Sequence, residues 1–196
     1  MLAALNGKKR YNLKADVKRL MEEHNAEFVW CETVGEKLTC FEEFLILNEK
    51  RATERGIQSS VARDSFRQHH RRVIENLPNA RIYCLRLDGD TIAVVYGFLF
   101  AARFFYYQVA HDPAYGHLSP GKVLLFRVMT VCAEQGCKEF NFLQGNEAYK
   151  SFWADQSRPL FQLKLEKDNW RVWLLRRFNR TKNWLKTIRD RSHHGH

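Results

Sequence analysis

Apolar and polar positions along the chain change period several times, and the changes predict the elements. Asn12 stands as an N-cap for a short basic helix reaching about His24, and residues 27–34 read as a strand ended by Gly35. Phe41, Phe44, Leu45 and Leu47 recur at helical spacing within a helix over 39–55 that Gly56 stops. Asp64 is read as the cap of a further helix that ends before Pro78. Residues 81–87 then alternate, Asp88-Gly89 is a two-residue hairpin signal, and 91–100 followed by 104–109 completes a three-stranded antiparallel meander. Ser119 is expected to cap a helix with Pro120 at its first position and Val123, Leu124, Phe126, Val128, Met129 and Val131 as its apolar residues, stopped by Gly136. A strand over 139–143, a brief helix after Gly145, a last strand over 160–165 and a terminal helix follow. The order predicts an α+β fold, a mostly antiparallel sheet flanked by helices.

Composition is that of one ordinary domain, with 45% hydrophobic and 13% aromatic residues in 196. We place the domain at 8–166 and a basic helical tail at 167–196. The five cysteines, Cys31, Cys40, Cys84, Cys132 and Cys137, form neither a CxxC pair nor a His/Cys cluster of metal-binding spacing. They are read as reduced thiols in a cytoplasmic protein, and no metal is expected. No apolar run is long enough to span a bilayer, and no signal segment opens the chain.

A formal charge of +10 calls for an anionic partner: phosphate, nucleotide, nucleic acid or lipid headgroup. The excess is uneven, since residues 169–196 hold eight Lys or Arg against the single acid Asp190. Trp170, Trp173 and Trp184 among these cations suit a peripheral membrane-surface helix as well as one docked on the domain. Arg51, Arg55, Arg63, Arg67, Arg71 and Arg72, with His69 and His70, make the middle helices basic; a solvated helix face is the commoner meaning of such a pattern, the flank of an acceptor cleft the other.

Two segments carry candidate chemistry. In the first, Asp112-Pro113-Ala114-Tyr115-Gly116-His117 runs through Leu118, Ser119, Pro120, Gly121 and Lys122 into a helix. Free N–H groups at that N-terminus, the helix dipole and the Lys122 ammonium could meet a pyrophosphate, although a plain capped helix would look the same. In the second, the strand Phe140-Asn141-Phe142-Leu143 delivers Gln144, Gly145, Asn146 and Glu147, then Tyr149, Lys150 and Trp153. A polar turn at a strand end is a usual place for catalysis, while Tyr149 and Trp153 at i, i+4 also suit a packing pair.

These motifs, together with Leu87-Asp88-Gly89-Asp90-Thr91-Ile92-Ala93, Tyr106-Tyr107 and the entry Lys8-Lys9-Arg10-Tyr11-Asn12-Leu13, resemble the CelD/BcsL-type (cellulose-biosynthesis, BioF2-like) acetyltransferase domain and, distantly, FemAB-like transferases, over about 8–165. The resemblance implies a GNAT fold that moves an acyl group, expected to be acetyl, from acyl-CoA to an amine or hydroxyl acceptor, such as a small molecule or a glycan precursor of a cell-surface polysaccharide. It places Lys150 as stabiliser of the developing oxyanion beside Tyr149, with the donor bound along 118–122 and the acceptor near Gln144, Gly145, Asn146, Tyr107 and Trp153. Asn141 stands where the family strand usually carries an acid, so base duty passes to Glu147, Asp112, His111 or His117. Larger relatives carry a second, N-terminal GNAT-like domain, which leaves three readings of this chain: a fragment, a naturally halved enzyme, or one that works with a partner domain. An aminoacyl-tRNA donor, or a non-catalytic basic adaptor for anionic lipid or nucleic acid, are the alternatives; no RNA-reading motif supports the latter.

Overall fold

The computed structural model describes residues 7–59, 61, 63–145, 147–161 and 163. It forms two compact units, Met1–Ser157 and Arg158–His196. In the second, the described residues 158–161 and 163 carry neither helix nor strand. The terminal helix and half of the strand expected over 160–165 lie outside the described residues, as does Asn146.

The first unit is a five-stranded sheet in the order β1-β2-β3-β4-β5. Helix α1 (Gly7–Lys18) widens into a π turn (Arg19–Glu23) and leads to β1 (Glu27–Cys31), α2 (Val34–Glu54) and α3 (Asp64–Asn76). The meander β2 (Ala80–Leu87), β3 (Asp90–Phe100) and β4 (Arg103–His111) follows, then a 3-10 turn (Pro113–Leu118), α4 (Pro120–Glu134), β5 (Glu139–Asn141) and α5 (Lys150–Trp153). Strands β1 to β4 pair antiparallel, whereas β5 returns parallel to β4 through α4. Among the described residues no helix is long and apolar enough to cross a membrane.

Both faces of the meander are covered, which is why its strands are nearly continuously apolar. Tyr83, Leu85, Val95, Phe104 and Tyr106 pack with Val123, Leu124 and Val128 of α4. Ile82, Cys84, Val94 and Tyr96 pack with Phe41 and Phe44 of α2 and Ile74 of α3.

Several boundaries differ from the sequence reading, each for a local reason. Strand β1 stops at Cys31 because Thr33 and Glu36 form a capping box: Glu36 N–H donates to Thr33 Oγ1 at 3.2 Å and Thr33 N–H to the Glu36 carboxylate at 2.9 Å. Val34 and Gly35 therefore open α2. Asn12 lies inside α1, and Asp64 is the first residue of α3 behind an Arg63 cap. Ser119 makes no capping bond; with φ 55° and ψ 44° it is the left-handed joint between the 3-10 turn and α4. Strand β5 is shorter than expected, for the Asn141 side chain accepts from Leu143 N–H at 2.8 Å and Leu143 turns left-handed at φ 58°.

A histidine is buried within the α2/α3 layer. His70 is 7% exposed, with Nδ1 3.2 Å from the Tyr96 hydroxyl and Nε2 3.3 Å from that of Tyr107. Burial, and then the charge of His69, pushes its pKa down to about 4. The unfolded chain thus takes up this proton first, so stability falls as pH drops from about 6.5 towards 4. His70→Gln keeps a donor and an acceptor without the titration. Between pH 7 and about 4.5 it is expected to lose about 2 kcal/mol less stability than the parent in urea unfolding. Equal losses would remove His70 from the acid response.

Candidate active site

The site begins where the sheet divides. Strand β5 pairs with β4 only from Arg103↔Glu139 to Phe105↔Asn141. Beyond this, β4 runs on to His111 while the chain after Asn141 turns away, so among the described residues no strand lies beside the β4 edge from Tyr106 onward. The pairing of β3 with β4 slips at the same level: Tyr96 opposes Gln108 while Gly97 opposes Tyr106, leaving Tyr107 as the extra residue of a bulge. A bulge twists its strand and leaves peptide groups without ladder partners. It also puts Tyr106 and Val109 in contact with the α4 core while Tyr107 and Ala110 pack with the α2 core.

The segment leaving β5 closes one side of this cleft. Phe142 packs on Tyr106 with ring centroids 5.6 Å apart, and Tyr149 lies 6.3 Å from Tyr106 and 6.4 Å from Phe142. Lys150, 9% exposed, fixes the loop: its ammonium donates to the Gln144 carbonyl at 2.8 Å and pairs with the Glu147 carboxylate at 2.7 Å. Gly145 is favoured here because its φ of 128° is a conformation that residues with a Cβ rarely adopt. Burial raises the Tyr149 phenol above its ordinary pKa and keeps it protonated. Glu147 is held below the usual carboxylate range, foremost by Lys150.

Helix α4 begins at the far end of the open edge. Leu118 is buried in the core, and Pro120 packs under the helix start. The N–H groups of Lys122 and Val123 both return to the Ser119 carbonyl, at 3.0 and 3.1 Å. Gly121 adjoins His111, whose Nδ1 would lie 3.3 Å from a Cβ at that position. Lys122 bonds Asp16 at 2.7 Å and stands 5.2 Å from the Phe152 ring centroid. Phe152 in turn packs edge-on against Trp153.

Asp112 is engaged elsewhere. Burial opposes its charge, but Lys50 at 2.6 Å and the Ala114 N–H at 3.0 Å outweigh it and hold the carboxyl below its usual range. With Lys50 it lines a cavity of ≈ 450 Å³ between α2, the β2–β3 turn and the 3-10 turn. Tyr107 turns its hydroxyl to His70. The expected site residues thus fall into a cleft group (Gln144, Gly145, Glu147, Tyr149, Lys150), a helix-start group (118–122) whose Lys122 is bonded to Asp16, Trp153 packed against Phe152, and Asp112 and Tyr107, which are bonded to other partners.

Arg51 reaches this cleft from α2. Its guanidinium donates to the Val109 carbonyl at 3.5 Å, and its charge acts on His111, Tyr106 and Tyr149. Burial, then Arg55, lowers its pKa. The signal was present in the sequence: Arg51 follows Phe44 by seven residues and Leu47 by four, so it continues the buried stripe of α2.

Comparison with known proteins adds an assignment to this geometry. No curated protein sequence matches the chain significantly. The fold is similar to an aminoglycoside acetyltransferase, meta-AAC0020, from an uncultured soil metagenomic sample in complex with sisomicin (TM-score 0.54, 14% identity, covering 76% of this chain and 99% of that one). It is also similar to the aminoglycoside 6'-N-acetyltransferase AAC(6')-Ih from Acinetobacter baumannii (TM-score 0.50, 12% identity, 73% and 99%). A third similar structure is AAC(6')-Iy in complex with the bisubstrate analogue CoA-S-monomethyl-acetylneamine (TM-score 0.52, 11% identity, 72% and 99%). At such identities the likeness shows the shared fold. Because residues 7–151, well over half the chain, match the sequence profile of the acetyltransferase (GNAT) domain, the chain belongs to that family.

Proposed function

We propose that the chain transfers acetyl from acetyl-CoA to an amine or hydroxyl of an uncharged or anionic sugar. The observation that carries this reading is the edge of β4 beyond Phe105, which no strand among the described residues pairs, beside the start of a 15-residue helix. The two amides of a pantetheine arm can hydrogen-bond a free strand edge as an added strand would. A pyrophosphate is an anion of the kind that a helix N-terminus attracts, which supports donor binding along 118–122.

The chemistry needs an acid, a base and a stabiliser of negative charge. As the acceptor attacks the thioester carbon, its C–N or C–O bond forms, the C–S bond breaks, the acceptor loses a proton and the CoA thiolate takes one up. Tyr149, kept protonated by burial, is the proposed acid for the thiolate. Lys150 uses two of its three N–H bonds on Gln144 and Glu147, leaving one for the acyl oxygen. Glu147, anionic and exposed, is the candidate base.

Arg51 bears on the acceptor. A cationic cleft repels polycationic sugars, whatever the aminoglycoside acetyltransferases of similar fold accept, and favours neutral or acidic ones. The resemblance to CelD/BcsL-type domains supports a glycan precursor. Calorimetry with acetyl-CoA, free CoA and an unrelated nucleotide tests the donor. Saturable binding tighter than the nucleotide's, and weakened in Gly121→Val, is expected. Binding no tighter than the nucleotide's and abolished by salt would overturn the CoA reading in favour of an aminoacyl-tRNA donor or a basic adaptor.

A further inference from the structure

Three cysteines far apart in the sequence meet in the core on the α2 side of the sheet. Cys31 ends β1, Cys40 stands in the second turn of α2 and Cys84 lies within β2. They are 1%, 1% and 0% exposed, and their sulfur atoms all lie within 4.8 Å of one another, with Cys40 and Cys84 at 3.3 Å. The separations in sequence, nine and 44 residues, match no metal-binding spacing, so the group is created by the fold alone.

We propose that Cys31, Cys40 and Cys84 bind one thiophilic d10 cation through three thiolates. Geometry is the first argument. Three sulfurs placed 2.3 Å from an ion at the centre of their triangle stand about 4.0 Å apart, a spacing reached here by shifts of tenths of an ångström. The donor set is the second: three thiolates in apolar surroundings, against Phe41, Phe44 and Val94, select soft ions over Mg2+ or Ca2+.

Charge is the third argument. Arg86 follows Cys84 by two residues on β2, and its buried Nε has no hydrogen-bond partner. Its guanidinium acts on Cys84 and Cys40. Three thiolates around a monovalent or divalent cation leave a net negative centre, which this guanidinium, already acted on by Glu43, would help to balance. Loading exchanges three S–H bonds for three S–metal bonds and releases three protons, with no change of oxidation state. Glu43, one helical turn beyond Cys40, lines the ≈ 450 Å³ cavity and accepts from Thr91 at 2.8 Å. Cys132 and Cys137 belong to the opposite core and take no part.

The full chain is refolded under reducing, anaerobic conditions with buffered Cu(I) or with Zn2+, dialysed, and its metal measured. The parent and Cys137→Ser are expected to retain one ion per chain, with at least tenfold weaker retention in Cys84→Ala. X-ray absorption of the loaded parent, which depends on no variant, should count three sulfur ligands. Retention of Cu(I) alone identifies a three-coordinate monovalent site; retention of Zn2+ identifies a divalent site completed by a fourth ligand. Failure to retain either ion, loss of retention in Cys137→Ser, or a sulfur count below three overturns the proposal.

Discussion

Lys150→Ala is expected to lower kcat for acetyl transfer by about 100-fold while leaving the affinity for acetyl-CoA and the unfolding midpoint nearly unchanged. The split follows from where the ammonium is engaged. Both of its acceptors, the Gln144 carbonyl and the Glu147 carboxylate, lie on the loop that Lys150 itself closes. No strand of the core depends on it, and an ion pair with an exposed carboxylate adds little to stability. What is lost is the closed course of the loop, and with it the position of Tyr149 beside Tyr106, together with a positive charge near the developing oxyanion. Donor binding along 118–122 is on a different element and should survive. Lys150→Arg restores charge without the same reach to Gln144, so partial rescue would assign the larger share to charge, and no rescue would assign it to the loop. A variant as active as the parent would remove Lys150 from the mechanism.

Most of this architecture could be read from the chain because its signals are local. Asp88-Gly89 makes a tight hairpin turn with φ of 53° and 90°, and the strands on either side alternate between two cores. Pro120 and Gly136 mark the two ends of α4 as their backbone preferences require. The capping box at Thr33 and Glu36 was equally local, but Gly35 between them also reads as a strand stop, and only the pairing of both side chains decides the matter. The cleft depends on relations that a linear pattern does not hold. That β5 lies parallel to β4, and for three residues only, is set by the crossover through α4 and by the Asn141 turn. Tyr106 and Tyr107 look equivalent in sequence, yet the bulge sends one to the cleft and the other to His70. The commitments of Asp112 to Lys50, of Lys122 to Asp16 and of the three cysteines to each other span 62, 106 and up to 53 residues, and no spacing rule reaches so far.

Gly97→Ala should destabilise the fold by about 3 kcal/mol, the cost of a side-chain atom for which a packed core has no space. A Cβ at this position would lie 2.5 Å from the Phe104 ring and 2.6 Å from the Phe105 carbonyl oxygen. The ring can rotate, but the carbonyl belongs to the residue at which β4 makes its last pairing with β5, so relief requires the backbone to move. Gly97 also opposes Tyr106 across the β3–β4 ladder, at the step where the bulge begins. Separating the strands there displaces Tyr106 and the first free peptide groups of the β4 edge, so the surviving folded fraction should bind acetyl-CoA more weakly than the parent. Chemical denaturation of Gly97→Ala measures the first effect and calorimetry below its midpoint the second. Adding Phe104→Ala removes the ring contact and leaves the carbonyl. If that double variant recovers the stability lost in Gly97→Ala, beyond the separate cost of truncating Phe104, the glycine serves the packing of a side chain; if it does not, the glycine is there to let two strands meet at the point where the cleft opens.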